Sequence, residues 1–505
     1  MKKVLIPVLA LALLGSCNVL DKEPLASVVP SNFFQNADDA ESAITSAYDG
    51  LQYSGYYGQD LPNIGLMPSD DCTSTNNDVN ALEIINWFPT TSQVGNTYRD
   101  IYRAINRANA VIKYVPGISM PTERRNQILG EAYFLRALHY FNLVRVYGGV
   151  PLHLDPTESA DPGVVALARA TADDVYAQIV ADLAQAESLT VTTFGDNVLN
   201  RARATKNAVN ALQARVFLTR RQWSDAQTAA GKVLGNNTST LSTSFNALYP
   251  PENNSESIFE VQFAGNLDAG FLLPDEVLPN PPATYSYAKF NIPTLFRDPK
   301  TNPPSTDLTF AVDTTNDLRW KRGAKVTGGV SYVSVLYAGK RFNSNGTPNT
   351  NDSGFFIYKW RSNPNGFNSP DNYYVLRLAD VYLMYAEASN EQNGPNADAL
   401  MRLNAIRQRA GLAPRTLAQL ATKQAFRDEV DLQRRLELAF EGERWFDLVR
   451  YARQTQADAS ATHKISALDI IAQFKSGNRD ANYLLFPFPQ SELNNNALIQ
   501  QNPGY

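Results

Sequence analysis

Cysteine is nearly absent from this 505-residue chain, which holds only Cys17 and Cys72. The first follows directly on an apolar leader, so a single thiol is left for the folded body and no internal disulfide can form. Stability then has to come from packing, and Cys72 reads as a small buried residue. Histidine is as scarce. His139, His153 and His463 are scattered, and His139 lies in an apolar helical stretch that suits a packed, hydrogen-bonded ring better than a metal ligand. HExxH, GxSxG and a phosphate loop are missing, which argues against the zinc-protease, serine-hydrolase and nucleotide-hydrolase classes. No cofactor or metal is expected. Positive charge is in deficit, 45 Lys and Arg against 50 Asp and Glu, which argues against a nucleic-acid partner because phosphate binding needs a basic face. Beyond the leader, no apolar run is long enough to cross a bilayer.

What the chain does have begins at its N-terminus. Lys2 and Lys3 precede an apolar run from Val4 to Leu14, closed by Leu14-Gly15-Ser16-Cys17. Such a run is too short for a comfortable permanent span and fits a secretory signal, residues 1–16, that is removed. The closing residues resemble the lipobox of bacterial lipoproteins, which implies cleavage before Cys17 and lipidation of that cysteine. Acyl chains would then hold the protein on a membrane, each buried methylene contributing about 0.8 kcal/mol. Residues 17–30, with Asp21, Glu23, Pro24 and Pro30, read as an extended, lipidated tether. Acidic residues behind a lipidated cysteine also resemble the export signal of lipoproteins displayed on the cell surface. Loss of Lys2 and Lys3 with the leader takes the net charge from −5 to about −7.

Apolar residues recur at helical spacing over 37–57, 97–115, 126–147, 171–189 and 205–234, then again over 375–390, 400–412 and 422–453. The stretch 126–147 is apolar on two faces and stops at Gly148, Gly149 and Pro151. Helices of that kind suit a stack in which each is covered on both sides. Ala214, Phe217 and Ala226 stand at the small, aromatic and small positions of a tetratricopeptide repeat, with the turn expected near Gln222-Trp223-Ser224-Asp225. Between 236 and 374 the texture changes. Ten prolines fall between 250 and 304, and short β-prone runs, Ser257 to Phe263 and Val330 to Tyr337, replace helices. Of the 53 aromatic residues 21 lie in 245–375, which marks this region for ring chemistry. The expected fold is therefore mainly α, a tetratricopeptide-like helical-pair superhelix with a loop-rich, partly β insertion. It forms a single domain over 31–505, helical over 31–235 and 375–455, with a ligand-binding insertion at 236–374 and a C-terminal segment at 456–505.

Six blocks in order carry a resemblance: INRANAVI at 105–112, GEAYFLRALHYFNLVRVYGGVPL at 130–152, VLRLADVYLMYAEASN at 375–390, LNAIRQRAGL at 403–412, RRLELAFEGERWFDLVRY at 434–451 and LLFPFPQSELNNNALIQQNPGY at 484–505. Together, behind a lipobox, they resemble the SusD/RagB family of outer-membrane lipoproteins that partner TonB-dependent transporters. The resemblance implies a helical fold, a non-enzymatic role in nutrient capture, usually of glycans, and a lid-like seat on the transporter barrel. Residues 236–374 match the family poorly, so the substrate stays open.

Chemistry can then be placed on particular residues. Glu437 and Glu441 stand four apart and could imitate the acid and nucleophile of a glycosidase. An arginine lies within three or four residues of each, lowering both pKa values and spoiling the raised acid that hydrolysis needs. A salt-bridged packing motif is expected instead. Asp70, Asp71, Asn76, Asn77 and Asp78 offer oxygens without the glycine-centred spacing of a calcium loop, so they read as a polar solvent loop whose Asp70 and Asp71 join the candidate ligand contacts. A sugar ring laid on an indole over about 40 Å² gains roughly 1 kcal/mol, so micromolar binding needs several rings plus polar partners. Trp320 beside Lys321 and Arg322, Tyr285 and Tyr287 on a Pro-rich loop, and Trp87 near the Asp70 to Asn80 segment are the candidates, with core packing as the competing reading of each and of Trp360. The expected function is delivery of an oligosaccharide or polysaccharide to a TonB-dependent transporter at the outer membrane, facing the cell exterior. A peptide ligand, a secreted glycosidase and a ligand-free helical scaffold are the rival readings.

Overall fold

The computed structural model describes residues 33–71, 73–74, 77–159, 161–236, 238–244, 248, 252–265, 270–274, 290–291, 317–319, 325–326, 329–330, 336–342, 348–357, 359, 369–474 and 480–505. The leader, Cys17, the tether, Cys72, Tyr285, Tyr287, Trp320 and Trp360 lie outside them. The main helices of the first half are α1 (Ala37–Asp49), α2 (Asp60–Leu66), α3 (Asn77–Glu83), α4 (Ser92–Tyr114), α5 (Thr122–Tyr147), α6 (Ala172–Leu189), α7 (Lys206–Thr219) and α8 (Trp223–Gly235). Those of the second half are α9 (Leu378–Asn393), α10 (Ala397–Arg409), α11 (Lys423–Glu437), α12 (Arg444–Ala457), α13 (Ala467–Phe474) and α14 (Gln490–Asn495). The protein is mainly α.

The helices begin where their sequences cap them. Asn36 accepts from the amides of Asp38 and Asp39 while the Asp39 carboxylate returns to the Asn36 amide, and Thr171 with Asp174 repeats the arrangement ahead of α6. Thr205, Asn396 and Thr422 cap α7, α10 and α11. Neighbours in sequence then become neighbours in space: α4 on α5, α5 on α6, α6 on α7, α7 on α8, α8 on α9, and α9 on both α10 and α11. Because α5 is covered on both sides, a continuous run from Phe134 to Val144 is buried. Ala214 and Ala226 are fully buried where α7 meets α8, the close approach that a small residue permits.

Three local expectations shift. The helix expected over 37–57 ends at Asp49 and continues as short 3-10 and π turns, since the chain there runs against α4: a Cβ on Gly55 would stand 2.6 Å from the Asn96 carbonyl oxygen. The turn between α7 and α8 falls at Arg220 to Gln222, with Arg221 left-handed at φ 60°, and Trp223 already belongs to α8. The run 422–453 is two helices, broken at 438–443 by Phe440 at φ 66° and Gly442 at φ 74°. The break lets the chain pass α2 at backbone contact, where a Cβ on Gly65 would meet the Gly442 carbonyl oxygen.

Strands β1 (Ser257–Val261), β2 (Leu336–Phe342), β3 (Pro348–Ile357) and β4 (Tyr373–Arg377) lie between the helical halves. Antiparallel pairing of β1 with β4, from Ser257 opposite Arg377 to Val261 opposite Tyr373, ties together the two ends of the segment between them. Both strands are buried throughout, as expected of a sheet packed between helices. β2 and β3 form an antiparallel pair with Leu336 opposite Ile357. The large hydrophobic core draws on both helical halves, on β1 and β4, and on Phe486, Phe488 and Ile499 of the C-terminal segment. A smaller cluster joins α9, α10 and α11 through Leu383, Leu403, Phe426 and Val430.

Candidate ligand site and its buried ionic base

Trp87 is not a ligand platform. It is fully buried, stacked on Phe486 at 4.0 Å between ring centres and edge-on to Trp445 at 6.2 Å. Its indole Nε1 donates to the Tyr505 hydroxyl at 2.5 Å, so the polar atom is satisfied internally. Its partners come from the far end of the chain.

Asp70 and Asp71 also turn inward. Arg444 donates to Asp70 through Nε at 2.8 Å and Nη2 at 3.1 Å, and Arg435 lies 3.2 Å from Asp70 and 3.4 Å from Asp71. All four side chains are buried. Burial would raise the Asp70 carboxyl, but Arg435 and Arg444 outweigh it and bring it down to about 2. For Asp71 burial wins, helped by the charge of Asp70 and opposed by Arg435, and its pKa is raised. The expected solvent loop is thus, at its start, an anchor on α11 and α12.

Glu437 and Glu441 are paired, as expected of a packing motif, but mostly by residues far away in sequence. Arg377, the last residue of β4, reaches Glu437 at 2.6 Å, Glu441 at 2.7 Å and Glu256 at 3.0 Å. Arg409 joins Glu256 at 2.5 Å and bonds Glu437. Arg319 donates to Gln433 at 2.7 Å, pairs with Asp317 at 2.8 Å and stands 3.7 Å from Glu437. Lys359 donates to the Glu437 carbonyl at 2.9 Å and pairs with Glu441. Burial would raise both glutamates, yet Arg409, Arg377 and Arg319 hold Glu437 far below the carboxylate range, and Arg377 with Lys359 lowers Glu441. Neither is the raised, substrate-facing acid that glycoside hydrolysis requires.

This ionic base grips the middle region at two points and the strand that closes it at a third. Arg319, Lys359 and Arg377 all descend onto the end of α11. Arg319 immediately precedes Trp320, and the Leu318 amide donates to the Ala410 carbonyl at 2.9 Å, so the chain entering Trp320 is fixed. Thr73–Ser74 pairs antiparallel with Phe290–Asn291, bringing the loop behind Asp71 against the segment that follows Tyr285 and Tyr287. The candidate segments near 70 and near 290, remote in sequence, are therefore adjacent.

An open groove of about 900 Å³ runs along α4, lined by Tyr53, Tyr102, Asn106, His153 and Asn495 among others. Arg103 lies over the Tyr53 ring at 4.3 Å, and His153 meets Tyr102 edge-on at 5.6 Å. Ring faces beside amides suit a polyhydroxylated ligand. Sequence reasoning missed this groove, although Tyr98 and Tyr102 one turn apart with Arg99 and Arg103 beside them signal an amphipathic face. His139 is packed, with Nδ1 3.0 Å from the Tyr56 hydroxyl, and burial pulls its pKa down to about 3.

Acids shifted in opposite directions set a pH profile. Burial raises Asp60 to about 6, and partial desolvation raises the carboxyl of Glu252, an exposed residue, to about 7. Both bind protons more readily folded than unfolded, so stability rises as pH falls from about 7 toward their unfolded values near 4. Asp70, depressed to about 2, acts in the opposite sense, and its contribution disappears as pH falls from about 4 to 2. Melting temperatures across pH 2 to 8 are expected to peak on the mildly acidic side and collapse below pH 4. A monotonic rise from pH 5 to 8 would contradict this.

A stack of paired helices with an aromatic-rich insertion clamped to its end defines a helical binding scaffold. Comparison with known proteins makes the class specific. The SusD family model matches residues 319–505, and a second model, described as starch-binding associating with outer membrane, matches residues 20–218. The two models and the SusD-like relatives together support membership of the SusD/RagB family. It is similar to the SusD-like protein P25 of Formosa agariphila, at 28% identity over 465 residues covering 86% of each chain. It is also similar to the starch-binding protein SusD of Bacteroides thetaiotaomicron, at 25% identity over 508 residues, 90% of this chain and 86% of that one. A solved laminarin-binding SusD-like protein superposes with a TM-score of 0.68 at 25% identity, covering 93% of this chain and all of the other.

Proposed function

We propose that this protein is a cell-surface lipoprotein, anchored through Cys17 to the outer membrane, that binds a nutrient oligosaccharide or polysaccharide and delivers it to a TonB-dependent transporter. Binding, without catalysis, is its role. The observation that carries this reading is the clamping of an aromatic-rich segment onto a helical scaffold by Arg319 and Lys359 within it and Arg377 just beyond it, beside relatives that include starch- and laminarin-binding proteins. Residues 31–505 act as one domain, with 236–374 as its ligand-binding insertion. Trp320, Tyr285 and Tyr287 supply ring faces, and release to the transporter requires only moderate affinity.

Trp320→Ala is expected to weaken glycan binding by about 1–3 kcal/mol, the effect of removing an aromatic anchor from a partly desolvated site. Calorimetry against a polysaccharide panel measures it. Intact binding beside a collapsed melting temperature would assign Trp320 to the core. The anchor is tested separately. Cys17→Ala is expected to move the protein to the soluble fraction with no lipid labelling, and unchanged membrane retention would defeat lipidation at Cys17.

A further inference from the structure

A second groove, of about 670 Å³, opens where α5, α6, α7 and α12 meet, and its wall is rich in arginine. Arg145 lies in the last turn of α5, Arg220 and Arg221 follow α7, and Arg453 is near the end of α12. A guanidinium at a helix C-terminus has an ordinary explanation, since each such end carries about half a negative charge. Three helix ends amount to about one and a half charges. The groove holds more cation than that. Arg145 is neutralised by Glu443 at 2.7 Å, Arg450 by Glu387 and Asp447, and Arg220 by the exposed Asp173 at 3.1 Å. Arg169 donates only to backbone carbonyls, of Gly149 and Gln500. Among the described residues no carboxylate lies within ion-pair distance of Arg169, Arg221 or Arg453. Three arginines without a carboxylate partner among the described residues thus share one groove, more than the helix ends offset, in a chain whose net charge is −5.

Between them stands Tyr176. Arg220 lies over its ring at 4.8 Å. Burial raises the phenol while the charges of Arg453, Arg145 and Arg220 work against that rise, which places those cations around it. Val449, Leu485 and Pro503 add apolar surface. The volume falls in the range of small-ligand sites, about 300–1,000 Å³, whereas a stable protein partner needs roughly 800 Å² of face on each side.

We propose that this groove binds the carboxylate or sulfate groups of an acidic saccharide, with Arg221 and Arg453 holding the anion and Tyr176 offering a ring face. This rests on the glycan-binding reading above and names a substrate class for it. Arginine suits the role because its planar donors match either anion in a two-pronged contact. None of the residues lining the groove belongs to 236–374, so it would hold an acidic chain at a second point.

The test is calorimetric titration of the mature protein with oligogalacturonate, a sulfated galactan oligosaccharide, neutral laminari-oligosaccharide and poly-glutamate, at low and high salt. The two anionic saccharides are expected to bind more tightly than the neutral one and to weaken as salt rises. Arg453→Gln and Arg221→Asn should each weaken the anionic saccharides about tenfold, leaving melting temperature and neutral binding unchanged. Asparagine tolerates the left-handed backbone at residue 221, so the turn survives the loss of charge. Equal affinity for anionic and neutral saccharides, or no effect of either variant, would overturn the inference while leaving the glycan reading intact. Preference for poly-glutamate would overturn it in favour of an acidic protein partner. Failure of every saccharide to bind would overturn both.

Discussion

A Trp87→Ala variant should unfold about 3–5 kcal/mol more easily than the parent protein, the cost of emptying a tryptophan-sized site in a packed core. The ring is fully buried and stacks on Phe486, so its removal leaves a void that surrounding helices fill only in part. It also releases a hydrogen-bonded chain: indole to the Tyr505 hydroxyl, then that hydroxyl to the Leu485 carbonyl at 2.7 Å. The C-terminal segment should therefore loosen first. Denaturant unfolding gives the energy, and hydrogen exchange over 480–505 shows where it is lost. A small stability change with a large loss of glycan affinity would instead return Trp87 to the ligand site.

Glu437→Gln should be comparably damaging, at about 3–5 kcal/mol, because it removes the negative charge that Arg377, Arg409 and Arg319 share in a dry interior. An exposed pair such as Lys113 with Glu158 would lose far less on the same treatment, because water and salt screen it. The difference is burial: the glutamine leaves guanidiniums that can neither find water nor lose their protons. Since Arg319 anchors the insertion and Arg377 ends the strand that closes it, the variant should also become sensitive to protease within 262–372 below its unfolding transition. Unchanged stability with unchanged protease resistance would mean that the ionic base does not hold the insertion.

Much of this architecture was legible because it is periodic. The two-faced pattern of 126–147 implied a helix covered on both sides, and α5 is covered so. Small residues at 214 and 226 implied close helix contact, and both are buried. The sequence was silent where partners are remote. Asp70 finds Arg435 and Arg444 more than 360 positions away, and no local pattern distinguishes that anchor from a solvent loop. Trp87 was misjudged for the same reason, since its stacking partner is Phe486. The break after Glu437 was hidden as well, because Phe440 adopts a left-handed conformation that its residue type does not advertise and tertiary packing against α2 imposes. Charge density was the usable signal: so many arginines and acids in 434–450, within helices already rich in apolar residues, cannot all face water.

The central claim is that this protein captures glycans without cleaving them. Its most direct test is one titration of the purified mature protein with a polysaccharide panel, followed by calorimetry and by assay of reducing ends in the same samples. The account predicts saturable binding of at least one polysaccharide with about micromolar affinity and no new reducing ends after prolonged incubation. Release of reducing ends that Glu437→Gln or Glu441→Gln abolishes without loss of stability would contradict it.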